Sequence, residues 1–118
     1  MLSFTGSLKV YLALEPQDMR KSFNGLAAAV SDHLKCDPYR GALYVFINKR
    51  RNRLKLLFWD GTGLWVAAKR LEQGRFSWPR ASRKDQRRLS LTPEALSMLT
   101  DGIDLRGGSL RPWYEREE

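Results

Sequence analysis

Three apolar runs cut by two short turns fill the stretch from Gly41 to Pro79, and they restrict the fold more than any other part of the chain. Leu43–Ile47, Leu54–Trp59 and Leu64–Ala68 are each the length of a strand. They are rich in leucine and in the aromatic and β-branched residues that suit a pleated surface. Both alternating faces of each run are largely apolar, so these strands are expected to be covered on both sides. One turn, Asp60-Gly61-Thr62-Gly63, supplies two glycines able to take positive φ. The other, Asn48 to Arg53, is densely basic. Connections this short predict an antiparallel meander.

Ahead of this stretch, Leu8 to Leu14 alternates like a strand and Pro16 stops it. Asp18 reads as the N-cap of a helix running to about Lys35. Met19, Phe23, Leu26, Ala27, Val30 and Leu34 recur on one side of that helix at helical spacing, a stripe suited to packing on the sheet. Gly25 sits inside it at a cost of up to about 1 kcal/mol, which close approach to a strand or a bend would explain. Beyond the meander, Arg75 to Trp78 and Leu89 to Leu91 are candidates for short strands, and Ser82 to Arg88 reads as a polar, mobile loop. Thr92-Pro93-Glu94 is a helix start, with a capping hydroxyl, a proline at the first helical position and then an acid. The expected fold is a single α+β domain over residues 1–105, an antiparallel β-meander sheet packed on one long N-terminal helix, with a short C-terminal helix from Pro93 to Thr100. Residues 106–118 are expected to form a flexible tail.

At 118 residues the chain is long enough for one domain with a core. Its 21 Lys and Arg outweigh 13 Asp and Glu, giving a net charge of +8, which favours polyanionic partners. Cys36 is the only cysteine, so no intrachain disulfide forms, and one cysteine with one histidine does not make a structural zinc site. No run approaches the roughly 20 apolar residues of a membrane span, and Met1 to Leu14, without a long apolar segment after a basic start, is not expected to be a signal peptide. The expected location is the cytoplasm, with no membrane partner and no cofactor.

The basic turn is the sharpest chemical feature. Five of the seven residues from Lys49 to Lys55 are Lys or Arg: Lys49, Arg50, Arg51, Arg53 and Lys55. Charges this close repel unless a polyanion or salt screens them. A two-stranded ribbon with such a tip can enter a groove of DNA or straddle its backbone. The competing reading is a solvated tip that discourages edge aggregation. The surplus persists in Lys69, Arg70, Arg75 and Arg80, which favours binding. Arg20 and Lys21 lie where the first turn of a helix would let them join backbone N–H groups around a phosphate. Trp78, beside Pro79 and among arginines, is the aromatic expected to be exposed for stacking on a base, whereas Trp59 and Trp65 are expected in the core. Asn48 and Asn52 read as turn formers. A metal-binding trio of Asp18, Asp60 and Glu72 would imply a nuclease, but each has a local job as cap, turn or ion-pair partner. The serines lack a nucleophile-elbow context and no phosphate-cradling glycine loop is present, so no catalytic residue is assigned.

Four segments carry a resemblance. DMRKSFNGLAAAV (Asp18 to Val30), LYVFINKRRNRLKLLFWDGTGLW (Leu43 to Trp65), KRLEQGRFSWP (Lys69 to Pro79) and LTPEAL near Leu91 to Leu96 resemble, in the same order, the TnpB or Orf2-like accessory proteins of bacterial insertion sequences of the IS66 type. The similarity runs from Leu8 to Leu105. It implies a bacterial protein encoded beside a separate transposase and required for efficient transposition, with no established catalytic activity. The expected partners are therefore DNA, in particular element ends, together with the transposase and the other accessory protein of the element. The expected mode is non-catalytic DNA binding through the basic hairpin. The alternative is a protein–protein interaction module that assembles with the transposase without touching DNA.

Overall fold

The computed structural model describes residues 8–101. The expectation of a flexible tail over residues 106–118 falls outside the described residues. Within them, five strands and two helices follow in the order β1 (Val10–Ala13), α1 (Phe23–Asp32), β2 (Leu43–Ile47), β3 (Arg53–Trp59), β4 (Leu64–Arg70), β5 (Arg88–Leu91) and α2 (Pro93–Thr100). The strands form one sheet in the order β4-β3-β2-β1-β5.

This corrects the expected architecture. β2, β3 and β4 do form an antiparallel meander, but β1 lies parallel to β2, with Val10 opposite Leu43. The sheet is therefore mixed. The cause is local: a helix between two strands supplies the crossover that parallel pairing needs, and β1-α1-β2 is such a unit. β5 then adds antiparallel to the far side of β1, with Ala13 opposite Arg88.

Among the described residues there is no long N-terminal helix. α1 has ten residues and begins at N-cap Ser22, not at Asp18. Asp18 instead takes the backbone N–H of Arg20 at 2.9 Å, and Lys21 N–H donates to Asp18 O at 3.1 Å, so Asp18 to Lys21 is a turn. Tertiary bonds hold it there: Gln17 N–H donates to Ile47 O and Lys55 Nζ to Lys21 O. The other end is set by Lys35 at φ +57°. Cys36 N–H reaches back to Val30 O at 3.1 Å, a left-handed helix stop of the kind that usually employs glycine. Phe23, expected on the packing stripe, is exposed. Gly25 lies against Lys21, whose Cβ would stand 3.1 Å from an added methyl, so the close approach is to a side-chain stem and not to a strand.

Strand alternation sorts the core into two layers. Val10, Leu12, Leu43, Val45, Ile47 and Leu54 face α2 and the segment from Leu71 to Trp78. Ala13, Tyr44, Phe46 and Leu57 face α1 through Leu26, Ala27, Ala29 and Val30. β2, central and covered on both faces, is buried at every position. Arg75 to Trp78 is not a strand; it is irregular chain laid over one face, with Phe76, Ser77 and Trp78 buried. α2 opens as its sequence predicts, with Thr92 Oγ1 accepting from Ala95 N–H at 3.1 Å.

Candidate nucleic-acid interface

The β2–β3 turn is fixed from inside by its two asparagines. Asn48 Oδ1 accepts from the N–H groups of Asn52 and Arg53, both at 3.1 Å, and Asn48 Nδ2 donates to Asn52 Oδ1 at 2.8 Å. It is also fixed from below. Leu71 N–H donates to Asn52 O and Phe76 N–H to Arg51 O, at 2.8 and 2.6 Å. Arg51 sits at φ +61°, a conformation unfavourable for any side chain but glycine. A well-tied turn thus holds Lys49, Arg50, Arg51 and Arg53 side by side. Among the described residues, none of these four pairs with a carboxylate.

The other expected cations divide. Lys55 lies within β3 on the α1 face, half-buried, and its Nζ donates to Lys21 O at 2.7 Å. It staples β3 to the loop before α1. Lys69 faces the opposite side and donates to Thr100 O at 2.8 Å, tying β4 to the end of α2. Arg20 is exposed but paired with Asp18 at 2.7 Å, and Arg70 is paired with Glu72 at 3.2 Å. Lys21 Nζ donates to Gln17 Oε1 at 2.9 Å. Arg75 and Arg80 are exposed. Arg20 and Lys21 do not frame a helix N-terminus as expected, because α1 begins beyond both.

Two aromatic expectations are reversed. Trp78 is 2 % exposed, and its indole N–H donates to Ala13 O at 3.0 Å, so no base can stack on it. Its neighbourhood of arginines misleads, because the ring turns under the sheet while they turn out. Trp65 is 45 % exposed, on β4, which has one neighbour among the described strands. Its indole donates to Asp60 Oδ2 at 2.8 Å.

Asp60 organises the β3–β4 turn. Its Oδ1 accepts from Thr62 N–H, Thr62 Oγ1 and Gly63 N–H, and these donors with the Trp65 indole hold its carboxyl well below the usual carboxylate range. The Arg20 guanidinium and backbone N–H lower Asp18 to about 2. Asp60 lies at one end of the β3–β4 hairpin, whereas Asp18 lines a cleft beside the turn at the other end. Asp18 and Asp60, two members of the acidic trio set aside above, therefore do not meet, and among the described residues no group of three His, Cys, Asp or Glu is placed to hold a metal.

That cleft, of about 660 Å³, opens between the loop before α1 and the basic turn. Gln17, Met19 and Arg20 line one side, and Lys49, Arg50 and Arg53 the other. It can seat an anionic group against guanidinium and ammonium donors in a space open to solvent.

Comparison with known proteins adds a family. The sequence model described as IS66 Orf2 like protein matches residues 8–109. Two proteins of Sinorhizobium fredii are similar over most of their length: y4jC, 39 % identical over 104 residues (88 % of this chain, 86 % of the relative), and y4hO, 38 % identical over 106 residues (90 % of each). Both carry the description uncharacterized protein. No solved structure matches.

Proposed function

The chain belongs to the IS66 Orf2-like family, a family of transposition-associated accessory proteins, and from that premise we propose that it serves transposition by binding DNA without catalysis. The observation that supports this most is the rigid β2–β3 turn with four cations and no carboxylate partner among the described residues. A solvated tip meant only to keep strands apart does not need a turn locked by five internal bonds and strained at Arg51. Lys49, Arg50, Arg51 and Arg53 contact phosphate, and Arg20, Arg75 and Arg80 extend the surface. Lys55 and Lys69 position strands, and Trp78 holds the supporting segment. The site of action is the bacterial cytoplasm, where the element and its transposase meet; among the described residues no helix is long and apolar enough to cross a membrane.

A second reading has its own observation. Among the described residues β4 is an edge strand with Trp65 exposed on it, a surface suited to strand addition by the transposase or the second accessory protein. Fluorescence anisotropy with a labelled element-end duplex and a scrambled one separates the two. DNA binding predicts saturable binding that Arg50→Ala/Arg53→Ala weakens on both duplexes alike. Absence of binding by the wild-type chain, with co-purification on the transposase that Trp65→Ala abolishes, would replace the first reading with the second.

A further inference from the structure

The register of the sheet gathers more charge at one end than the basic turn supplies. Arg53 lies opposite Arg70, and Leu54 lies between Ile47 and Lys69, so the tip and the end of β4 share one end of the sheet. Because β1 runs parallel to β2, its last residues come to the same end, and β5 starts there: Ala13 pairs with Arg88, and Leu14 N–H donates to Arg87 O at 3.0 Å. The stretch from Ser82 to Arg88, with Arg83, Lys84, Arg87 and Arg88, is thereby brought to the same end as the basic turn from the far side of the sheet. The segment between them crosses this end, pinned at Asn52 O, Arg51 O and Ala13 O.

The loop is folded, and its cations are sorted. Gln86 Oε1 accepts from Ser82 N–H at 2.7 Å and from Ser82 Oγ at 3.0 Å, and Gln86 N–H donates to Arg83 O. Arg88 turns inward, donating to Leu34 O at 2.7 Å and lying over the Tyr11 ring. Arg83 pairs with Asp85 at 3.6 Å. Lys84 and Arg87 are exposed, and among the described residues neither has a carboxylate partner.

We infer that Lys84 and Arg87 form a second DNA contact on the far side of the sheet end, so that a duplex lies across the strands from the β2–β3 turn to the β5 loop. This rests on the DNA-binding reading above and gives it a span and a direction. Two to three interstrand steps of about 4.8 Å separate the β2–β3 turn from β5, a span of about 10–14 Å. That matches about three to four base pairs at about 3.4 Å each. A duplex fits better than unpaired bases, because Phe76 and Trp78, the rings between Arg75 and Arg80 in sequence, are buried.

The test uses the full chain and a labelled random-sequence duplex, titrated over a range of salt. Three variants are compared with wild type: Lys84→Ala/Arg87→Ala, Lys49→Ala/Arg50→Ala, and Lys9→Ala/Arg40→Ala. The last removes the same charge from exposed positions at the opposite end of the sheet. The loop pair and the turn pair are each expected to reduce the steepness of log K against log salt by about two, and the control pair to leave it near wild type. If the loop pair behaves like the control while the turn pair weakens binding, the second contact is wrong and the basic turn stands. If the wild-type chain binds with no salt dependence, both fall together.

Discussion

Apart from those paired with a carboxylate or an amide side chain, hydrogen bonding separates the described lysines and arginines into two kinds. Lys55, Lys69 and Arg88 spend their charge on the backbone oxygens of Lys21, Thr100 and Leu34, where they hold elements together. Lys49, Arg50, Arg51 and Arg53 have no carboxylate partner among the described residues. Arg51 shows what the second kind costs. Its φ of +61° is a conformation that costs a side chain about 1–2 kcal/mol and glycine little. Arg51→Gly should therefore raise stability by up to about 1 kcal/mol in urea denaturation while weakening DNA binding. A loss on both counts would mean that the guanidinium stabilises the turn. Acid stability tests the two turn aspartates. Asp18 and Asp60 have carboxyls held below their ordinary value in the folded chain. Each thus contributes stability above the unfolded pKa, and that contribution fades as pH falls through the folded one. The melting temperature should drop between about pH 5 and pH 2, and less steeply in Asp60→Asn. Equal steepness in the variant would show that the Asp60 turn is not linked to folding.

At the scale of elements, the segment from Leu71 to Trp78 is neither helix nor strand, yet it supports the basic turn and carries the chain to the β5 loop. Its anchor is the Trp78 indole on Ala13 O. Trp78→Phe leaves that carbonyl without its donor and should cost about 1–3 kcal/mol, read as a lower urea midpoint at unchanged m. An unchanged midpoint would mean that the segment is held by its backbone bonds alone. This anchor also shows where sequence reading ends. The three runs of the meander could be placed within two residues, because each is a continuous apolar run and the turns mark its limits; the expected cover on both faces holds for β2, whereas β4 has no buried residue. α2 was equally legible from its cap. The length of α1 was not, since tertiary bonds from Ile47 O and Lys55 Nζ capture Gln17 to Lys21 as a turn. Nor was the parallel pairing of β1, which depends on which distant strand it meets. Trp78 and Trp65 exchanged places for a similar reason. Whether a ring lies over the sheet or at its edge is a property of strand order, and local composition does not encode it.

Across the whole molecule, strand order converts a scattered basic surplus into a directional one. The basic turn, the end of β4 and the start of β5 are far apart in sequence and meet at one end of the sheet. The Asp60 turn, with its acid consumed by its own donors, lies at the other. The net charge of +8 was plain from composition, but its concentration at one end needed the mixed sheet. The most direct test is the salt dependence of wild-type binding to duplex DNA. With Lys49, Arg50, Arg51, Arg53, Lys84 and Arg87 on phosphate, log K should fall against log salt with a slope of about −5. A slope near zero, or one that Arg50→Ala/Arg53→Ala leaves unchanged, would contradict the assignment of the cationic sheet end to DNA.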